Sequence, residues 1–335
     1  MTLHNLLTAT ISQSGPLPLS TYMALCLTHP EFGYYTSPTR GRDPIGAGGD
    51  FITAPEISQM FGELIGLWAV HEWQSRGAAN PFSIVEFGPG HGTLMADALR
   101  AASLRPAFIQ AMQLFLIEAS PKLRTQQMQK LGPLTPDYIS DMTALPAQPA
   151  FIIANEFFDA MPIDQYRLTD DGWQQRAVDF DGEALVWAEL PATPPALVEA
   201  TRSREWIEHS AVASLVMQDI CTHIKDNTGA ALLIDYGYLG PQPGDTLQAV
   251  QRHAYVDVLA QPGDCDLTAH VDFGTLARIA HAAGCHAEYM TQGEFLNMLG
   301  IGARAEQLGD AEGLARLTET GQMGDLFKVL VVSAQ

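Results

Sequence analysis

The residues best suited to chemistry lie in Ile84–Thr93, I-V-E-F-G-P-G-H-G-T. An apolar run carries Glu86, and three glycines, Gly88, Gly90 and Gly92, then lead straight into a helix-forming stretch. Glycines so placed reach backbone dihedrals closed to other residues and let main chain approach a ligand closely. In a doubly wound α/β sheet, such a strand-to-helix turn marks the ligand crevice. The spacing is G-x-G-x-G, not the G-x-G-x-x-G of dinucleotide sites. The next strand-end carboxylate, Glu118, lies 30 residues after Gly88, beyond the roughly 20 of a dinucleotide site. Glu86 just ahead of the loop would repel a pyrophosphate. It suits S-adenosyl-L-methionine, which carries an ammonium and a sulfonium and no phosphate. The loop therefore favours that donor, with S-adenosyl-L-homocysteine as product, over a nicotinamide cofactor.

The following strand ends fit the same donor. Glu118 could chelate a ribose diol with its two oxygens, or favour only the helix N-terminus that follows it. Asp141-Met142 offers an adenine a polar acceptor and a soft side chain, although Asp141 also reads as a turn residue. The fourth strand ends F-I-I-A-N-E-F-F-D-A-M-P, so Asn155, Glu156 and Asp159 leave it at the carboxyl edge, where open α/β sheets bind their ligands. Asn155 is expected beside the donor, and Glu156 and Asp159 beside the acceptor. An arginine acceptor starts protonated. Paired carboxylates can localise that charge on one nitrogen and take the departing proton. Asn155 and Phe158 also partly match the Asn-Pro-Pro-Tyr/Phe loop of enzymes that methylate amide or base nitrogen, without its two prolines. Asp50, after Gly48-Gly49, reads equally as an acceptor-side carboxylate and as a turn residue. Glu56 reads as the capping-box partner of Thr53. Asp264, Asp266, His270 and Asp272 are metal-ligand types, but Asp272 is expected to cap a helix and methyl transfer requires no metal, so none is expected.

These residues need a frame, and the patterning supplies one. Residues 1–80 read as a mainly helical extension. Its clearest helix runs from Thr53 through Ile57, Met60, Phe61, Leu64, Ile65 and Trp68 at helical spacing. Residues 81–163 alternate short apolar strands with helices: strands over 82–87, 114–117, 138–139 and 151–154, a helix over 93–102, and one from Ser120-Pro121 to Leu131. That alternation predicts a parallel sheet covered on both faces. Residues 164–228 read as an insertion, first an antiparallel ribbon turning at Asp170–Gly172, then helix through Val212, Leu215, Val216 and Ile220. Residues 229–335 return to the core with a strand at 231–234, a helix from Asp272 to Gly284 and a last strand at 326–332.

The 335 residues suggest about two domains. With 47% hydrophobic residues the chain can bury a sizeable core, which excludes a disordered one. Eighteen Lys and Arg against 38 Asp and Glu leave a net charge of −20. That excludes the basic stripe of a free-standing nucleic-acid or anionic-lipid binder. Four scattered cysteines make no disulfide framework. No apolar run approaches the ~20 residues that span a bilayer, so no membrane insertion is expected. The first basic residue is Arg40, unlike a secretory or transit segment. Together these features predict a cytoplasmic protein.

Seven segments carry a family resemblance. They are G-D-F-I-T-A-P-E-I-S-Q-M-F-G-E (49–63), V-E-F-G-P-G-H-G-T-L-M-A-D (85–97), A-N-E-F-F-D-A-M-P-I (154–163), I-D-Y-G (234–237), G-D-T-L-Q-A-V (244–250), D-L-T-A-H-V-D-F (266–273) and T-Q-G-E-F-L (291–296). In this order they resemble the MidA family across nearly the whole chain. The resemblance implies a class I, Rossmann-like methyltransferase fold, α/β with a seven-stranded sheet whose last strand is antiparallel, and S-adenosyl-L-methionine as donor. It assigns Gly88, Gly90, Gly92 and Glu118 to the donor, and Asp50, Glu156 and Asp159 to the acceptor. Mitochondrial relatives are protein-arginine methyltransferases acting in respiratory complex I assembly, so a protein substrate of that kind is implied. His91 stands where relatives usually have Arg, and Ala54 where Ser is common. A non-catalytic, donor-binding assembly factor is the competing reading, and the 164–228 insertion is the expected place for partner recognition or homodimerisation.

Overall fold

The computed structural model describes residues 2–37, 46, 49–240 and 243–334; Gly48, beside Asp50, lies outside them. The chain divides into two compact units, one of residues 1–51, 159–215 and 238–275, the other of 52–158, 216–237 and 276–335. The helical extension read over 1–80 is thus shared between the units at Phe51, and the insertion read over 164–228 is shared at Leu215.

The first unit is built on two helices and a meander. Helix α1 (Leu3–Ser14), capped by Thr2, buries Leu3, Leu7 and Ile11 on one face. Helix α2 (Leu19–Thr28) buries Leu19, Tyr22, Met23, Cys26 and Leu27. Both pack into a core with Val178, Leu185 and Leu267. Strands 164–169, 172–180 and 185–191 form the antiparallel ribbon. Its first turn pairs Thr169 with Gly172, whose φ of 104° only glycine adopts readily.

The second unit holds the main sheet. Of its eight strands among the described residues, one is the two-residue Val271–Asp272, and the other seven are β1 (Phe82–Phe87), β2 (Met112–Ile117), β3 (Asp137–Ile139), β4 (Ala150–Asn155), β5 (Gly229–Tyr238), β6 (Cys285–Thr291) and β7 (Phe327–Ala334). Side by side they run β3-β2-β1-β4-β5-β7-β6. Pairs from β3 to β5 are parallel, and β7 is antiparallel to both its neighbours. The antiparallel last strand is as the resemblance implied, in a sheet that also carries the short eighth strand. β1 and β4 are buried at every residue, as central strands covered on both faces must be. The chain reverses its direction of travel across the sheet between β1 and β4, which makes their carboxyl ends the crevice for a ligand.

Helices α3 (Ala54–Ile57) and α4 (Gln59–Ser75) stand where the sequence predicted one. Thr53 makes no side-chain cap, whereas extended Ser58 caps α4 by accepting from the Met60 amide at 3.3 Å. The single helix expected from Thr53 is thus interrupted at the extended Ser58. Helix α4 then crosses α5 (Thr93–Ala102) at very short range. A Cβ at Gly66 would fall 2.7 Å from Ala98 Cα and C and closer still to its carbonyl oxygen. Glu63, between the glycines of α4, binds Arg100 Nη1 at 2.6 Å and Arg304 Nε at 2.7 Å. After α6 (Pro106–Ala111), α7 (Pro121–Leu131) starts on Ser120 and Pro121 and ends on Leu131, as its sequence predicted.

Candidate active site

The glycine loop leaves β1 and ends at the N-terminus of α5. Gly88, Gly90 and Gly92 all have left-handed φ, at 57°, 52° and 77°, so a side chain at any of the three would be strained. At Gly88 a Cβ would also come 2.9 Å from the Phe157 ring. The turn is closed by the Gly88 amide on Ile117 O (3.0 Å) and the Gly92 amide on Pro89 O (2.7 Å). Glu56 is no capping-box partner. Its Oε1 accepts from Thr93 Oγ1 at 2.5 Å and lies 3.5 Å from His91 Nδ1.

Glu118 follows β2 and is buried. Its Oε1 accepts from the Ser120 amide at 2.8 Å and its Oε2 from Gln127 Nε2 at 3.1 Å. Burial pushes its carboxyl above the ordinary range against the pull of these donors. Glu86 is more extreme. It is 2% exposed, and its Oε2 is buried without a hydrogen-bond partner. Burial, reinforced by the charge of Glu118, pushes it up to about 8. Asp141, after β3, caps the short turn Met142–Ala144, accepting from the Thr143 amide at 2.9 Å. Thr143 and Ser140 hold its carboxyl below the usual range. Met142 is buried beside it.

At the end of β4, Asn155 donates from Nδ2 to Glu156 Oε1 at 3.1 Å, and its own Oδ1 is buried without a partner. Glu156 has φ 49°, a left-handed conformation costing a non-glycine residue on the order of 1–3 kcal/mol. The conformation is held by its amide on Ile234 O (2.9 Å) and by its Oε1, which accepts from the Ala54 amide (2.8 Å). Asp235, to which sequence reasoning gave no role, pins the same segment: its Oδ2 accepts from the Phe158 amide at 3.0 Å. Its signal was its place in the I-D-Y-G motif at the end of an apolar strand. Gln127 was also missed, since one polar residue in a polar helix carries no local signal.

The fold therefore brings Glu86, the loop glycines, Glu118, Asp141, Met142, Asn155 and Glu156 to the carboxyl ends of four adjacent parallel strands. Asp159 and Asp50 belong to the first unit. Asp159 is buried, with its carbonyl accepting from the Ala269 amide at 3.0 Å. Asp50 is fully buried, accepting from Tyr34 Oη at 2.8 Å and from the Arg252 amide at 2.5 Å. Arg252 and His253 both have left-handed φ, so Asp50 anchors a strained turn. In the acidic cluster, Asp266 accepts from Tyr35 Oη at 2.8 Å and Asp272 caps its helix through the Thr275 amide at 3.0 Å. The His270 amide donates to Thr246 Oγ1. Among the described residues, no group of three or more His, Cys, Asp or Glu side chains is arranged to hold a metal.

With this geometry in hand, the comparisons are specific. The Methyltransf_28 family of S-adenosyl-L-methionine-dependent methyltransferases matches residues 64–291. The chain belongs to this family. The methyltransferase is 35% identical over 331 residues to the mitochondrial protein arginine methyltransferase NDUFAF7 of Danio rerio, covering 90% of this chain and 77% of the relative. Its identity to the Drosophila melanogaster homologue is 34% over 373 residues, covering 97% and 83%. A COG1565 superfamily member from Burkholderia thailandensis, crystallised with S-adenosyl-homocysteine, superposes with a TM-score of 0.85 at 28% identity, covering 99% of this chain and 91% of that one. The MidA resemblance, the class I fold and the donor are thereby borne out. The cytoplasmic location is not: these relatives are named as mitochondrial proteins. Free thiols and an early lack of basic residues do not distinguish one reducing compartment from another.

Proposed function

We propose that this methyltransferase transfers methyl groups to a guanidinium nitrogen of arginine in a protein, with a subunit of the respiratory complex I type as acceptor. The observation that carries the reading is Glu156. A carboxylate held in a costly left-handed conformation at the ligand end of a central strand is positioned for a task other than packing.

The residues present fit the donor. The orphaned Asn155 Oδ1 and Glu86 Oε2 are buried polar atoms awaiting a partner. The glycine loop keeps its backbone bare where a side chain would meet Phe157. Gly88, Gly90 and Gly92 would hold the methionine portion by backbone, Glu118 the ribose diol, Met142 and Asp141 the adenine edge, with Asn155 and Glu86 completing the polar wall. Bound there, the donor supplies an electrophilic methyl on a sulfonium with a good sulfide leaving group.

The chain's own residues handle the acceptor. Glu156 accepts hydrogen bonds from the guanidinium, localises its charge and leaves one nitrogen able to attack. The proton released on methylation passes to the Glu156 carboxylate. Asp50 serves within its own unit, by fixing the Arg252–His253 turn. The 164–228 segment, with its ribbon, is assigned to protein recognition or homodimer formation.

The test is transfer of labelled methyl from S-adenosyl-L-methionine into a lysate lacking this protein, followed by hydrolysis to amino acids. Label is expected in methylarginine. Glu156→Gln, which can still accept from the Ala54 amide, should lower transfer by about 10²-fold or more with S-adenosyl-homocysteine binding retained. Label in another residue, or full activity in the variant, overturns the assignment.

A further inference from the structure

We propose that Gln127 is a positioning residue for donor binding, holding the glycine loop and the Glu118 carboxylate in one fixed arrangement through a single amide nitrogen. The inference rests on the donor role given above to Gly90 and Glu118. Gln127 projects from α7 and is completely buried. Its Nε2 donates to Gly90 O at 2.7 Å and to Glu118 Oε2 at 3.1 Å. An amide nitrogen carries two hydrogens, so both bonds form at once, and since both partners are acceptors the nitrogen must point this way. The stem of the same side chain lies under the loop: a Cβ at Gly92 would come 3.3 Å from Gln127 Cγ.

Glu118 shows what this arrangement achieves. An ionised carboxylate can take about four hydrogen bonds. The Ser120 amide occupies one position on Oε1 and Gln127 one on Oε2. The carboxylate plane is thus set from both sides, with capacity left for the two hydroxyls of a diol. Gln127 also partly compensates a buried charge, which is strongly disfavoured without donors. No close substitute does both. Asparagine is one methylene short, and glutamate would set a second carboxylate against Glu118. Loop and carboxylate belong to different strands, β1 and β2, and Gln127 is the side chain that joins their ends.

The experiment is calorimetric titration of S-adenosyl-homocysteine into the intact protein, its Gln127→Met variant, Glu118→Gln and the double variant, with initial-rate kinetics alongside. Methionine nearly matches the shape of glutamine and donates nothing. Gln127→Met should raise Kd by about tenfold or more, the loss of a hydrogen bond to a charged group. In kinetics, the donor KM should rise while kcat at saturating donor stays within about twofold. The double variant should be weaker by clearly less than the sum of the two single effects, because the part of Gln127's contribution that runs through Glu118 is already lost in Glu118→Gln. Gln127→Asn should weaken binding too, a second reading should the methionine variant fold poorly. If Glu118→Gln weakens binding and neither Gln127 variant does, or if the two effects simply add, this inference is overturned and the Glu118 assignment stands. If Glu118→Gln itself binds like the wild type, the assignment of Glu118 to the donor falls instead.

Discussion

Glu86→Gln should stabilise this protein at neutral pH and do little for it in acid. Glu86 is the penultimate residue of central strand β1, 2% exposed and with one carboxylate oxygen lacking a hydrogen-bond partner. Burial first, and the charge of Glu118 second, raise its folded pKa from 4.5 to about 8. Between those values the folded state holds a proton that the unfolded state has released. Stability therefore declines as pH rises across this window, at up to about 1.4 kcal/mol per pH unit. From about pH 5 to about pH 7.5 the loss is on the order of 3 kcal/mol. Glutamine keeps the shape and removes the titration, so the advantage of the variant should grow by that amount over the interval and level off above about pH 8. Below about pH 4.5 both states are protonated and the two proteins should be nearly alike. Urea denaturation of both proteins at several pH values measures the difference directly. Stability curves that run parallel, or a variant that loses ground as pH rises, would refute the reasoning.

Gly66→Ala should destabilise despite the roughly 1 kcal/mol that alanine gains in helix propensity, because its methyl has no room against the Ala98 backbone. A net loss of about 1–3 kcal/mol and weaker binding of S-adenosyl-homocysteine are expected, since α5 carries the end of the glycine loop; denaturation and calorimetry check both. Glu63→Gln should cost on the order of 1–2 kcal/mol near pH 7. Burial raises the pKa of Glu63, but Arg304 and Arg100 outweigh it and hold the carboxyl below its usual 4.5. Its stabilisation is present above that value and lost as pH falls through the depressed one, so the gap between the proteins should close in acid, as pH-dependent denaturation would reveal.

Much of the second unit was legible because its signals are local. β1 and β4 are apolar runs of strand length, and α7 announces its start with Ser120-Pro121. The glycine triplet was legible for the same reason, since a left-handed φ is a demand on the residue itself. The start of α4 was not, because the apolar stripe runs unbroken through Ser58 and gives no local sign that the backbone becomes extended there. Glycine is a weak helix former, and the place of Gly62 and Gly66 in α4 is explained only by the α5 atoms that a Cβ at either would meet. Asp50 looked like a loop carboxylate. Its partners Tyr34 and Arg252 reach it from 16 residues before and 202 after, and no spacing rule brings them together.

By itself, then, the sequence determined where most central strands and several flanking helices lie, though not β6 or α6, and where the chain turns sharply at the glycine loop. These follow from periodicity, capping and dihedral preference, each decided within a few neighbouring residues. The tertiary structure decided which carboxylates are buried, which are pinned and which share a donor. Glu86 holds its proton above the usual range because the packed sheet buries it and, second, because Glu118 on the neighbouring strand adds its charge. Gln127 holds a loop 37 residues away because α7 returns over α5. Burial and hydrogen bonding depend on what the fold packs against each group, and that is settled only when distant segments meet.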